Sequence, residues 1–129
     1  MAGKLSDDRG HVLTIDVEEY FQSPALSDII IPEEWPSLPS RVERSTERLL
    51  DVLDDHGVTA TFFIGPWIAD RHPQLAEVIS ARGHEVASRD GPGPSEFGEG
   101  IFTPLSRIRA FKSLLETLTG EYVHGHRPV

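Results

Sequence analysis

Four short runs of β-branched and aromatic residues alternate with stretches of helical periodicity along the chain, and this alternation limits the possible folds. Three of the runs are residues 11–15, 58–64 and 84–88, and a fourth begins at Tyr122. The first two are nearly continuous in apolar residues, which is typical of strands buried on both faces of a sheet. The sequence therefore predicts an α/β fold in which parallel strands alternate with helices.

The predicted helices begin and end at residues suited to those positions. One helix is predicted between Ser40 and Gly57, because Ser40 and Glu43 have the spacing of a capping box and glycine commonly ends helices. Further helical stretches are expected to open at Pro66 and Pro73, since proline is favoured in the first turn.

Two stretches lack regular periodicity. Residues 22–40 contain four prolines and too many apolar residues for a solvated loop, so we expect this connection to pack on the body of the domain. Residues 89–102 contain four glycines and two prolines in 14 positions. Apolar positions at helical spacing resume over residues 105–118 and predict the last helix.

The composition excludes several classes of function. The chain has no cysteine, and hence no disulfide, thiolate zinc site or cysteine nucleophile. Its net charge of −9 argues against binding to nucleic acid or anionic membranes, whose phosphates select basic surfaces. No signal peptide or membrane span is apparent, so we expect no membrane insertion, a cytoplasmic location and a flexible N-terminus over residues 1–10. At 129 residues the chain is too short for a complete α/β barrel of roughly 200 residues.

The densest cluster of carboxylates follows the first predicted strand. Ligands gather at the carboxyl ends of strands in parallel α/β folds, and Asp16, Glu18 and Glu19 stand at that position. Alternate residues of an extended segment share a face, so Asp16 and Glu18 could point into one pocket. One carboxylate could bind a divalent metal while the other accepts a proton from metal-bound water. The alternative is a solvated acidic turn, since acidic side chains are mostly exposed.

The six histidines include no helix-borne metal motif, because no two of them are four residues apart. His124 and His126 alternate along the fourth predicted strand and could chelate a metal, although this spacing alone is a weak signal. The other four are predicted to be structural or exposed. The chain also lacks a phosphate-binding glycine loop and the Gly-x-Ser-x-Gly frame of serine hydrolases.

Several segments resemble one known family. Residues 13–21, Leu-Thr-Ile-Asp-Val-Glu-Glu-Tyr-Phe, look like the opening motif of the polysaccharide deacetylases with a NodB homology domain. They are most similar to the branch associated with bacterial exopolysaccharide and exosortase systems. The similarity continues through residues 38–43, 46–50, 60–63 and 83–88. We therefore expect a partial NodB-like domain over residues 11–129, with a close match over 11–88, a divergent stretch over 89–102 and a loose match over 103–127.

The resemblance implies a distorted (β/α) barrel, incomplete here, and hydrolysis of N-acetyl groups on amino sugars. The expected cofactor is a divalent metal, zinc first, and the expected partner is an N-acetylated polysaccharide in exopolysaccharide metabolism. By resemblance Asp16 is the general base, Arg127 orients that base, and Glu18 binds the metal, with Glu19 as the fallback. The family carries an Arg-x-Pro motif at Arg127, whereas Pro128 displaces the proline here by one position. No substrate-binding residue is assigned.

Departures from the family pattern bear on activity. Where the family has two metal-binding histidines, this chain has Arg89 and Gly93, and a cation at the first position would repel a metal. The chain also matches only the front part of the family's barrel, so we expect the later strands to be missing. Three hypotheses follow: a deacetylase that uses other ligands such as His124 and His126, a catalytically inactive truncated or divergent relative, and a non-enzymatic module that forms homo-oligomers through its open sheet.

Overall fold

The computed structural model describes residues 10–91 and 104–128. Residues 1–9 of the predicted flexible N-terminus and most of the divergent stretch 89–102 lie outside the described residues.

Within these ranges, four parallel strands form one open sheet. They are β1 (Thr14–Val17), β2 (Thr61–Ile64), β3 (Glu85–Arg89) and β4 (His126–Arg127), and their order in the sheet is the order along the chain. Because the strands are parallel, their carboxyl ends lie at the same edge of the sheet. The predicted α/β class, with parallel strands alternating with helices, is confirmed.

The described α-helices are α1 (Val42–Asp55), α2 (Pro66–Arg71), α3 (Pro73–Ala81) and α4 (Pro104–Thr119). Pro66 and Pro73 begin their helices as predicted, where the missing backbone N–H costs no intrahelical hydrogen bond. No helix among the described residues is long and apolar enough to cross a membrane.

The proline-rich connection packs on the domain, as expected from its apolar content. It forms short 3-10 helices over Tyr20–Gln22, Pro24–Leu26 and Pro32–Ser37. The buried ring of Trp35 lies 5.9 Å from the ring centroid of Phe21 and 5.7 Å from that of Trp67. These edge and tilted contacts are favourable aromatic geometries, and they hold the connection against α2.

The core lies between the sheet and the helices. Its fully buried members come from separate elements: Leu50 of α1, Phe62 and Ile64 of β2, Ile79 of α3 and Leu115 of α4. Burial of each such side chain contributes roughly 1.5–3 kcal/mol relative to its exposure to water. The packing of these residues therefore fixes the sheet whose edge carries the candidate site.

Two strand predictions are wrong in detail. The first strand is not buried on both faces: Thr14 and Asp16 of β1 are exposed on one face, and Val12 just before the strand is 82% exposed. The fourth strand does not begin at Tyr122, which is exposed, but at His126. Its position follows from hydrogen bonds to β3, where the Ser88 N–H donates to the Gly125 carbonyl at 3.0 Å.

The cap of α1 also differs from the prediction. The helix begins at Val42, and the spacing of Ser40 and Glu43 does not produce a capping box. The buried carboxylate of Glu19 caps it instead, accepting hydrogen bonds from the N–H of Arg41 at 3.0 Å and of Val42 at 3.4 Å. A carboxylate at a helix N-terminus satisfies free N–H groups and interacts favourably with the helix dipole.

Candidate functional site

Charged side chains from three strands meet at the carboxyl edge of the sheet. Asp16 lies on β1, Arg89 ends β3, Arg127 ends β4, and Glu18 follows directly after β1. The strand register pairs Arg89 with Arg127, and Asp16 with Phe63 of β2. We refer to Asp16, Glu18, Arg89 and Arg127 as the edge cluster.

Asp16 and Arg127 form a direct ion pair. The Arg127 Nη1 donates to Asp16 Oδ1 at 2.7 Å, and Nη2 donates to Thr14 Oγ1 at 3.0 Å. The guanidinium also lies 4.1 Å from the ring centroid of Phe63, which is cation–π geometry. Three contacts from three directions fix the Arg127 head group, and through it the orientation of the Asp16 carboxylate.

Arg89 faces both carboxylates of the edge cluster. Its Nη1 hydrogen-bonds Glu18 Oε1 and lies 3.5 Å from Asp16 Oδ2, while its Nε donates to the Asp90 carbonyl at 3.1 Å. Only 12% of the Arg89 side chain is exposed. Asp16 therefore has a guanidinium beside each of its two carboxylate oxygens.

The predicted face shared by Asp16 and Glu18 is consistent with this arrangement, since one nitrogen of Arg89 approaches both side chains. The roles of Asp16 as base and of Arg127 as its orienting group remain predictions, as does metal binding by Glu18. Their geometry allows Arg127 to hold Asp16, and it leaves Asp16 partly exposed at the sheet edge.

Glu19 takes part in a different set of contacts. Besides capping α1, its carboxylate accepts a hydrogen bond from the Ser40 hydroxyl and lies 3.8 Å from His72 Nε2. The opposite ring nitrogen, His72 Nδ1, lies 2.9 Å from Glu43. These contacts give Glu19 a structural role at the start of α1, so its fallback assignment as a metal ligand draws no support from them.

His126 faces its own neighbours on β3 and just beyond it. Its Nδ1 lies 2.8 Å from Ser88 Oγ, and its Nε2 lies 3.2 Å from Asp90 Oδ1. His124 precedes β4 and contacts the exposed ring of Tyr122. The alternative metal pair, His124 with His126, therefore forms no ligand set in the described part of the chain.

A divalent metal does not fit the described residues. In residues 10–91 and 104–128, no three His, Asp or Glu side chains come together as a group that could hold a metal ion. The two carboxylates closest to such a role, Asp16 and Glu18, already face the Arg89 guanidinium. We therefore derive no chemical step through a metal at this edge.

Sequence reasoning missed three parts of the site. The contact between Arg89 and Glu18 joins residues 71 positions apart and has no local signal. Thr14 and Phe63 contact the Arg127 head group, but their sequence pattern indicates only that they lie in strands. Thr14 begins β1 and Phe63 lies near the end of β2, so their contacts with Arg127 could have been suggested only once the sheet order was known.

Comparisons with known proteins find similar sequences in one family. Residues 35–89 match the family model described as Polysaccharide deacetylase. A chitooligosaccharide deacetylase from Sinorhizobium fredii is 54% identical over 44 residues, which are 33% of this chain and 20% of that protein. Both matches support a polysaccharide deacetylase family domain.

Solved structures of deacetylase-family proteins share the fold. A crystal structure from Mycobacterium smegmatis, assigned to the polysaccharide deacetylases, aligns with a TM-score of 0.65 and 27% identity over 90% of this chain and 41% of that chain. A family 4 carbohydrate esterase from Bacillus anthracis aligns with a TM-score of 0.58 and 19% identity, over 91% and 46% of the two chains. A CE4 family pseudoenzyme from the same organism aligns with a TM-score of 0.59 and 17% identity, over 91% of this chain and 34% of that chain.

The last two likenesses show the deacetylase-family fold alone. The chain spans 20% of the length of the curated relative and less than half of each solved structure. The activity, substrates and partners of those whole proteins are therefore not assigned to this chain by the likeness.

Proposed function

We propose that this chain is a polysaccharide deacetylase relative that binds N-acetylated amino-sugar polysaccharides at its edge cluster without hydrolysing them there. The observation that carries the proposal is the pairing of both candidate carboxylates with guanidinium groups. Asp16 and Glu18 are balanced by Arg89 and Arg127, so the cluster itself has no net charge. A neutral, hydrogen-bonding surface suits the hydroxyl and amide groups of a neutral sugar better than it suits a divalent cation.

Metal-dependent hydrolysis is the activity that the family resemblance implies, and the geometry favours it less than binding alone. Asp16 is placed to accept a proton, but Arg127 and Arg89 face its two oxygens. Glu18 is a single candidate ligand, and its carboxylate is also paired. A role in exopolysaccharide metabolism rests on the resemblance of residues 13–21 and belongs to the same proposal.

Calorimetric binding of matched oligosaccharides tests the proposal. We expect the chain to bind an oligomer of N-acetylglucosamine and to bind the glucosamine oligomer of equal length at least tenfold more weakly. Acetate release should stay at the blank level, with and without added zinc. The R127A variant should lose affinity, whereas E47A, which changes an exposed residue of α1, should not. Equal affinity for the two oligomers would contradict the binding proposal, and acetate release above the blank would contradict the absence of hydrolysis.

Self-association is a second candidate function, favoured by the exposed edge of the sheet. β1 lies at one edge, and the adjoining Val12, Leu13 and Val58 are exposed apolar side chains. Unpaired strand edges commonly associate with another chain. Analytical ultracentrifugation decides this point: a dimer that the V12K variant dissociates is expected, and a monomer at all concentrations up to about 100 μM would exclude it.

A further inference from the structure

We propose that the Arg89 guanidinium is a built-in cation, which bridges Asp16 and Glu18 in place of the divalent metal that the family resemblance implies. The inference concerns the electrostatic balance of the edge cluster. It is independent of the carbohydrate proposal, because metal affinity and folding stability test it without any sugar.

The Arg89 head group lies between the two carboxylates of the edge cluster. A single nitrogen, Nη1, hydrogen-bonds Glu18 and lies 3.5 Å from Asp16, so the positive charge stands between the two carboxylates. The side chain is 12% exposed, and its Nε is held by the Asp90 carbonyl at 3.1 Å. A largely buried and tethered guanidinium keeps this position better than a freely moving surface arginine does.

The Arg89 side chain reaches the carboxylates across an intervening strand. Arg89 belongs to β3 and the carboxylates belong to β1 and the residues just after it, with β2 between them. Two strand spacings amount to roughly 10 Å, a gap that the long arginine side chain closes together with the carboxylate side chains that it contacts. A histidine is shorter, so it would need a metal ion to connect it to the same carboxylates.

Two carboxylates without a nearby cation would repel each other and attract a metal, whereas a guanidinium between them satisfies both and disfavours a second positive charge. The fork of N–H donors also matches carboxylate geometry, and arginine stays charged at every physiological pH. These properties make Arg89 a permanent counter-ion that needs no cofactor.

Zinc titration of three forms of the full chain tests the inference. We expect no saturable zinc binding in the unaltered chain at zinc concentrations up to about 1 mM. R89H should bind one zinc ion at least tenfold more tightly, because imidazole and two carboxylates are zinc ligands. R48H adds a histidine at an exposed position of α1 and should behave like the unaltered chain.

Thermal unfolding supplies a second readout that does not depend on zinc affinity. R89A should lower the Tm of the chain, and excess zinc should raise the Tm of R89H without raising that of the unaltered chain. If R89H does not fold, as judged by circular dichroism, the E18Q and R89M variants and their double variant measure the coupling of Glu18 with Arg89 instead.

Three results would overturn the inference. The first is zinc binding by the unaltered chain that E18Q abolishes, and the second is an equal zinc affinity of R89H and R48H. The third is a Tm change in the E18Q/R89M double variant that equals the sum of the changes in the two single variants. Loss of sugar binding alone would leave it standing, so its failure is distinguishable from that of the proposed function.

Discussion

Replacement of Glu19 by alanine is expected to destabilise the domain through the start of α1. No part of the Glu19 side chain is exposed, and its carboxylate accepts hydrogen bonds from the N–H groups of Arg41 and Val42 and from the Ser40 hydroxyl. In E19A the two N–H groups lose their acceptor. Arg41 directly precedes the helix and Val42 is its first residue, so no intrahelical carbonyl is available to replace it.

The size of the effect follows from these contacts. A hydrogen bond to a charged group contributes roughly 1.5–3 kcal/mol, and loss of a helix cap costs about 1 kcal/mol. The hydrogen bond from the Arg41 N–H, at 3.0 Å, is expected to contribute the full amount, whereas the bond from the Val42 N–H, at 3.4 Å, is weaker. The Ser40 hydroxyl is exposed and can hydrogen-bond to water instead. We therefore expect the free energy of unfolding to fall by roughly 3 kcal/mol, and Tm by about 10 °C.

Urea and thermal unfolding, followed by circular dichroism, measure this change. E47A is the matched control, because Glu47 is an exposed glutamate on the same helix and should alter the free energy by less than about 0.5 kcal/mol. E19Q should lie between E19A and the unaltered chain, since one amide oxygen remains as an acceptor. A loss in E19A no larger than that in E47A would refute the capping role of Glu19.

Three further substitutions test the fold and the site. F62A removes a fully buried ring from β2 and should cost roughly 3–5 kcal/mol in urea unfolding, so a loss below about 1 kcal/mol would contradict its place in the core. Gly57 has a φ of 63° with open space around it, so G57A should lower the free energy of unfolding by about 1 kcal/mol through backbone strain alone, and G57N should lower it less. An unchanged free energy of unfolding in G57A would show that the helix ends in another conformation. R127K should lose simultaneous bonding to Asp16 and Thr14; with 38% of the side chain exposed, the cost should be about 1 kcal/mol or less, and an unchanged Tm would show that the fork geometry contributes nothing.

The elements that depend on local sequence were predictable, and those that depend on distant partners were not. The positions of α2 and α3 follow from Pro66 and Pro73, whose fixed backbone angle suits a first helical turn. The exposure of β1 does not follow from its own residues. An apolar run predicts a strand, but the elements that pack on the sheet decide which of its two faces are covered.

The candidate site divides in the same way. The meeting of Asp16 and Arg127 at one edge could be anticipated, because both stand at the carboxyl ends of predicted strands. The cap that Glu19 supplies to α1 crosses more than twenty positions of the chain, and only the packed connection between them brings it there. The acidic cluster after β1 therefore contains carboxylates with separate functions, which adjacency in sequence conceals.

The uneven charge of the chain bears on what the edge cluster can bind. Residues 1–57 contain 13 acidic and 5 basic residues, whereas residues 103–129 contain 2 acidic and 4 basic residues. The fold places carboxylates of the acidic segment beside Arg127 from the basic one and beside Arg89. Each negative charge at the edge thus meets a positive charge already present in the chain, at distances where interaction is strong. A divalent cation would have to displace a tethered guanidinium, whereas a neutral sugar needs only to exchange hydrogen bonds with water, and this difference favours recognition over metal chemistry at the edge cluster.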